Sequence, residues 1–413
     1  MTASSASEHG EFRTRARRVP RPGPVGSALD ALGAVGRAPS GGFRRFAWTR
    51  EDHDLREWFD GEASARGLDV VTDRAGNRWA WWGDPDADGP GVVTGSHLDS
   101  VPDGGAYDGP LGVVSAFAAV DALRAEGFRP VRPLGVACFG DEEGARFGVA
   151  CAGSRLLTGA LTAERAAGLT DADGVTMGEA VARAGHAPLA ADPDALRRVG
   201  VFVELHVEQG RGLVDLGRPV AVGTAIHPHG RWRVDLAGRA DHAGTTLLAD
   251  RDDPMLALAR VVLAARAAAE RHDALATCGK VRVEPNGVNA IPSRVTAWLD
   301  ARGADAERVR AVVAEVAALA PVTEESWTDR TPFDPDLAAR LSALLGRGGE
   351  DRAPLLPTGA GHDAGILAAA GVPTAMLYVR NPTGVSHSPA EHAPDDDCAA
   401  GVDALVAVLR ELA

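Results

Sequence analysis

Several short stretches of this sequence set histidines and carboxylates where a divalent cation could be held: Gly95-Ser-His97-Leu-Asp99, Asp108, Asp141-Glu142-Glu143, Glu204-Leu-His206-Val-Glu208 and Ser386-His387-Ser-Pro389. His and carboxylate donors suit zinc, manganese, cobalt or nickel. All but Asp108 lie in or just after short apolar runs that read as strands: Gly91 to Thr94, Leu134 to Phe139, Val201 to Val207 and Thr374 to Arg380. In open α/β sheets the carboxyl ends of strands are where sites assemble. Asp108 follows His97 by eleven residues, beside Gly104, Gly105 and Gly109, so its loop can turn the carboxylate back toward His97. One carboxylate can bridge two cations. We therefore expect His97, Asp108, Glu143, His206 and His387 to hold two adjacent divalent ions, zinc or manganese foremost and cobalt or nickel also compatible. Ions roughly 3.5–4 Å apart activate water near neutral pH and polarise a carbonyl.

Such a centre needs a proton carrier. Glu142, beside the expected ligand Glu143, is placed to take the proton of the attacking water and deliver it to a leaving nitrogen. Asp99, two residues from His97, is suited to accept from the imidazole N–H. A single His or carboxylate in such a place is more often a satisfied structural residue, and the coincidence at four strand ends is what supports a site. The glycine runs at Gly104-Gly105 and Thr358-Gly-Ala-Gly-His362 lack the spacing of a phosphate-binding loop.

The elements that must position these residues alternate between strand and helix. A helix from Thr49 to about Gly67, capped by Thr49 with Asp52, is expected to open the ordered chain. The runs above then alternate with helices at Leu111 to Ala125, Asp363 to Ala370 and Cys398 to Leu412, a pattern that predicts an α/β sheet domain. Between Gly217 and Trp327 the pattern becomes strand, helix, strand, strand, helix, strand, the βαββαβ order of a ferredoxin-like unit able to close its own small core. The expected organisation is a disordered tail over residues 1–26, a catalytic metal-binding domain over 27–216 and 329–413, and an inserted domain over 217–328.

Composition narrows the partners. Acidic residues outnumber basic ones 57 to 43, for a net charge of -14, which opposes nucleic-acid binding and leaves a small molecule as the fitting partner. No apolar run approaches a membrane span, and the Arg-rich N-terminal segment lacks the apolar stretch of a secretory signal, so a cytoplasmic protein is expected. Cys138, Cys151, Cys278 and Cys398 form no C-x-x-C pair and read as reduced, mostly buried thiols.

The motifs Gly95 to Asp99, Tyr107-Asp-Gly-Pro-Leu-Gly112, Asp141 to Gly148, Glu204 to Gly210, His242-Ala-Gly-Thr-Thr246, Asn289-Ala-Ile-Pro292 and Ser386 to Pro389, in this order, resemble the allantoate amidohydrolase and N-carbamoyl-L-amino acid hydrolase family. The resemblance runs from about Gly41 to the C-terminus. It implies a mixed-sheet, metallopeptidase-like catalytic domain with an inserted lid and dimerisation domain, and homodimers in which one lid completes the partner's site. It implies the same five ligands, with Asp108 bridging, and Glu142 as acid/base. It further implies that His242 steadies the oxyanion, that Asn289 and Arg302 hold the carboxylate of a small anionic, amino-acid-like substrate, and that Gln209 and the backbone of Gly359 and Ala360 make further contacts. The implied reaction is hydrolysis of the linear amide C–N bond of allantoate or an N-carbamoyl amino acid, the alternative being an N-formyl or N-acyl amino acid amidohydrolase, an aminoacylase or a dipeptidase on the same metal site. The sequence departs from the family at Leu247-Leu248, where Pro-Met is usual, and within His227-Pro-His229-Gly, where His229 takes the place of an expected substrate-facing Gln.

Overall fold

The computed structural model describes residues 24–348 and 351–413. The first described element, helix α1 (Pro24–Leu32), reaches back across the tail boundary expected at Gly26 and precedes the Thr49 helix. Proline is well suited to the first helical position, and Val25 and Leu32 bury into the core of the large sheet, which ties this segment down. Of the tail expected over residues 1–26, residues 1–23 lie outside the described residues. Helix α2 (Arg50–Ala65) starts as read, with the Thr49 side chain accepting from the Asp52 N–H.

The strands, in chain order, are β1 (Asp69–Thr72), β2 (Arg78–Trp82), β3 (Gly91–His97), β4 (Leu134–Phe139), β5 (Val199–Val207), β6 (Val220–Ile226), β7 (His229–Ala237), β8 (Asp241–His242), β9 (Leu275–Glu284), β10 (Ala290–Ile291), β11 (Arg294–Arg302), β12 (Val322–Thr328), β13 (Thr331–Pro332), β14 (Leu355–Thr358) and β15 (Thr374–Val379). One mixed sheet runs β1-β2-β4-β3-β5-β15-β6-β13, with β14 beside β6. Its centre, β4-β3-β5-β15, is parallel. Every residue of β3, β4 and β15 is buried, because helices cover both faces; this is why these strands read as unbroken apolar runs. On one face lie helices Pro110–Ala125 and Asp395–Leu412, through Val113, Val120, Leu405 and Leu409. On the other lie Ala152–Thr158 and Asp363–Ala369, through Leu156 and Leu367.

A second sheet, β12-β7-β11-β9, is antiparallel throughout. Helices Pro254–His272 and Ala306–Ala317 pack on it through Leu258, Val261, Val309 and Val316. Burial alternates along β7 and β11, as it must when one face is covered.

One expected boundary moves. Residues from Gly217 were assigned to the inserted unit, but β6 pairs with β15 through Leu377↔Val222 and Val379↔Val220 and so belongs to the large sheet. Gly217, at φ 62°, ends the short helix Gly212–Leu216, a turn signal that sequence alone does not distinguish from a domain junction.

Candidate metal centre

The four parallel strands that carry the expected ligands are neighbours in the sheet and bring them to one edge. His97 ends β3, His206 is next to last in β5, Glu142 and Glu143 follow β4, and His387 lies in the loop after β15. Ligand atoms of His97, Asp108 and His206 lie within 4.8 Å of one another, as do those of Asp108, Glu143 and His387. Asp108 divides its oxygens between the two groups. Its Oδ1 is 3.1 Å from His206 Nε2 and 3.7 Å from His97 Nε2. Its Oδ2 is 3.4 Å from His387 Nε2, itself 3.6 Å from Glu143 Oε2.

The tautomers suit a cation. His97 Nδ1 faces the Asp99 carbonyl at 3.2 Å and His206 Nδ1 faces the Val207 carbonyl at 2.8 Å. Donation to those carbonyls puts the proton on Nδ1 and the lone pair on Nε2. Both Nε2 atoms are buried without a hydrogen-bond partner. Lone pairs facing the Asp108 oxygen at such distances repel unless a proton or a cation stands between them, so the donor set fits divalent ions in both groups. A third group, Glu204, His206 and His362, also converges, but the Glu204 oxygens already accept from Ser96 Oγ at 2.7 Å and from the Ala364 N–H at 3.1 Å.

Close approach of the backbone makes this geometry possible. Gly109 sits at φ +85°, and a Cβ there would stand 2.4 Å from His97 Cε1. A Cβ on Gly105 would stand 2.2 Å from Glu391 Oε2. Glu391, which sequence reasoning did not single out, accepts from the N–H groups of Tyr107 and Asp108 at 2.9 Å each and from Ser386 Oγ at 3.4 Å. It thereby ties the Asp108 loop to the His387 loop. Its closeness to His387 in sequence was the one available signal.

Electrostatics follow from the crowding of acids in a buried place. Burial pushes the Glu143 carboxyl up to about 7, with Asp108 adding to the rise. Burial likewise holds Glu142 well above the usual carboxylate range, with His97 opposing. Against its own burial, Asp108 is held well below that range by His206, His387 and His97. His362, whose ring centroid is 4.5 Å from that of His206, is held well below the ordinary imidazole value by burial and by the His206 charge.

The other expected residues fall into two sets. Asp99 lies 3.4 Å from His97 Nδ1, and its carboxylate also accepts from the N–H groups of Glu142 at 3.1 Å and Glu143 at 3.0 Å, which was not foreseen. Gln209 Nε2 donates to Asp108 Oδ2 at 2.9 Å and to Ser386 Oγ at 3.1 Å. Glu142 Oε2 is 3.9 Å from His97 Nε2. These belong to the cluster. His229 and Arg302 stand opposite each other on β7 and β11. The fork of Arg302, expected to grip a substrate carboxylate, grips Asp300 through Nε at 2.7 Å and Nη2 at 2.6 Å, while Nη1 donates to Gly359 O at 2.9 Å. That leaves one N–H on each Nη. The Ala360 N–H donates to Thr358 Oγ1 at 3.1 Å. His242 and Asn289 sit together where β8 pairs with β10, exposed, and make no hydrogen bond or ion pair with the cluster.

Two groups of His and carboxylate donors sharing one carboxylate, at the carboxyl edge of a parallel α/β core, define a metal-dependent hydrolase. The chain belongs to peptidase family M20/M25/M40, whose sequence profile matches residues 93–411. Within that family it is 37% identical over 399 residues to an N-carbamoyl-L-amino acid amidohydrolase of Geobacillus stearothermophilus, covering 93% of this chain and 97% of the relative. It is 32% identical over 406 residues to an allantoate amidohydrolase of Escherichia coli (strain K12), covering 94% and 97%. A crystal structure of an amidase of the hydantoinase/carbamoylase family from Burkholderia vietnamiensis superposes with a TM-score of 0.87 at 31% identity, covering 94% of this chain and 96% of that one.

Proposed function

We propose that this chain is a homodimeric amidohydrolase that cleaves the linear C–N bond of an N-carbamoyl-type substrate, an N-carbamoyl-L-amino acid or allantoate, with two divalent ions, zinc or manganese, at its centre. The observation that carries this is the division of Asp108: one oxygen faces His97 and His206, the other faces His387 beside Glu143. The relatives act on N-carbamoyl amino acids and allantoate by name, and they share nearly the whole chain.

Divalent ions bound in both groups would activate water and polarise the scissile carbonyl. The remaining work falls to side chains. Glu142 takes the proton of the attacking water and passes it to the leaving nitrogen. Asp99 holds the Glu142 and Glu143 backbone in place through its two accepted N–H bonds. His242 Nδ1 accepts from the Gly244 N–H at 3.0 Å, so the neutral ring keeps its proton on Nε2, where it can donate to an oxyanion. The two uncommitted N–H groups of Arg302, with Asn289, hold the substrate carboxylate, and the backbone at Gly359 and Ala360 makes further substrate contacts. Gln209 Oε1, buried and unpartnered, accepts from the substrate, and His229 faces its distal part.

The β7 to β12 unit is read as a ferredoxin-like lid and dimerisation domain. His242 and Asn289 are exposed and away from their own chain's cluster, which supports their completing a partner's site. The same unit offers an apolar surface: Leu256 is 63% and Leu263 72% exposed on helix Pro254–His272, beside the open edge of β9 with Leu275 and Val281. Leu263→Asp is expected to weaken the dimer by at least roughly a hundredfold in Kd, with activity falling as monomer accumulates; sedimentation velocity against concentration, run beside the assay, reads both. A monomeric wild type would end this part of the reading. A cytoplasmic location is part of the same proposal; no described helix is long and apolar enough to cross a membrane, and the four cysteines are free.

Purified protein assayed against allantoate, N-carbamoyl, N-formyl and N-acetyl amino acids and dipeptides tests the function. N-carbamoyl substrates or allantoate should be turned over fastest. Turnover of dipeptides alone would refute the proposal.

A further inference from the structure

Beside the metal cluster a cavity of about 410 Å³ opens between helix Ala152–Thr158, helix Asp363–Ala369 and the start of β7. Two of its wall residues touch the catalytic groups. Cys151 Sγ is 3.5 Å from Glu142 Oε1, and the His362 ring packs on that of His206. A substrate with its scissile bond at the cluster can therefore extend into this space.

The lining has an unusual charge balance for this chain. Acidic residues outnumber basic ones 57 to 43 in the sequence, yet among the described residues no Asp or Glu lines the cavity. Small and apolar residues such as Ile226, Ile366 and Ala369 make much of the wall, with hydroxyls from Thr158, Thr328 and Thr331. The charge comes from Arg155. Its Nε donates to the Ala150 carbonyl at 3.0 Å; neither Nη makes a hydrogen bond and no carboxylate pairs with it among the described residues. Four of its five N–H donors are thus uncommitted. Arg302, by contrast, is fixed on Asp300 and Gly359. His229, also in the wall, donates from Nδ1 to the His227 carbonyl at 2.9 Å. Its burial and the nearby charges of Arg302 and Arg155 disfavour protonation, so it adds no second cation of its own. A guanidinium with no counter-charge at the wall of a cavity is complementary to an anionic group.

We propose that this cavity receives the substrate's side chain and that Arg155 selects one ending in a carboxylate, so that N-carbamoyl derivatives of acidic amino acids are preferred. The inference rests on the amidohydrolase reading above. It is tested with three substrates, N-carbamoyl-L-glutamate, its uncharged near-isostere N-carbamoyl-L-glutamine, and N-carbamoyl-L-leucine. The wild type should favour glutamate over glutamine by roughly tenfold or more in kcat/KM. Arg155→Met should bring that ratio close to one, and Arg155→Lys should keep a preference for the acid; metal content and Tm of both variants show whether they fold. A wild type that prefers glutamine or leucine, or an Arg155→Met that lowers all three substrates alike and leaves the ratio intact, would overturn the proposal while the amidohydrolase function stood. Failure to hydrolyse any of the three, with N-acetyl or dipeptide substrates turned over instead, would remove the function and this inference together.

Discussion

Replacing Glu142 with Gln is expected to lower kcat by on the order of a hundredfold or more while the metal content stays as in the wild type. The two halves of this expectation have separate causes. Glu142 belongs to neither group of converging donors; its carboxylate lies 3.5 Å from Cys151 Sγ and 3.9 Å from His97 Nε2. The bonds that fix its backbone, from its N–H to Asp99 Oδ1 and from the Cys151 N–H to its carbonyl, survive the substitution. What a Gln side chain loses is the ability to take up a proton and give it back. Metal stoichiometry by atomic spectroscopy and turnover on the best substrate of the panel read the two halves independently. Turnover at the wild-type rate would remove Glu142 from the mechanism, and a parallel loss of metal would make it a ligand.

The sequence reading makes Glu143 a ligand and Glu142 the proton carrier, and the fold supplies what keeps the two roles apart. Which of the two joins His387 is decided by the path of the chain after β4, where Asp141 takes a left-handed φ of 54° and Asp99 accepts both following N–H groups. That contact joins residues over forty positions apart, beyond the reach of local pattern. Much else was legible, because the strands that carry the site are buried on both faces and so announce themselves as apolar runs. The short antiparallel strands β1 and β2 were not, since four or five residues broken by a turn carry little periodicity. Glu391 and Arg155 were missed for a related reason: their roles depend on what they face across the fold, and an isolated Glu or Arg in a helix or loop looks like any solvated charge. Arg302 shows the converse. It was singled out by the family resemblance, but its partner Asp300 lies two residues away on β11, and nothing local favours that acid over a ligand.

Asp108→Asn is expected to have the larger consequence, abolishing metal retention and lowering kcat/KM by on the order of a thousandfold or more, since such a centre supplies several kcal/mol of transition-state stabilisation. Among the described residues Asp108 alone belongs to both groups, so neutralising it weakens both at once. The amide keeps the shape of the carboxylate but halves its acceptor atoms and turns an N–H2 toward His387 or toward His97 and His206, where lone pairs already converge. Removing one carboxylate also relieves Glu143 and Glu391, both held near neutral pH first by burial and then by Asp108. The variant should therefore fold, and its thermal stability should be indifferent to a chelator. The wild type should not be: each ion present at a hundredfold excess over its Kd adds about 2.7 kcal/mol to folding stability, which chelation withdraws as a fall of Tm. Calorimetry with and without chelator, on wild type and variant, separates loss of metal from loss of fold. If Asp108→Asn kept two ions per chain, or if chelation left wild-type Tm and activity untouched, the shared carboxylate would not be holding cations and the hydrolytic centre would need another basis.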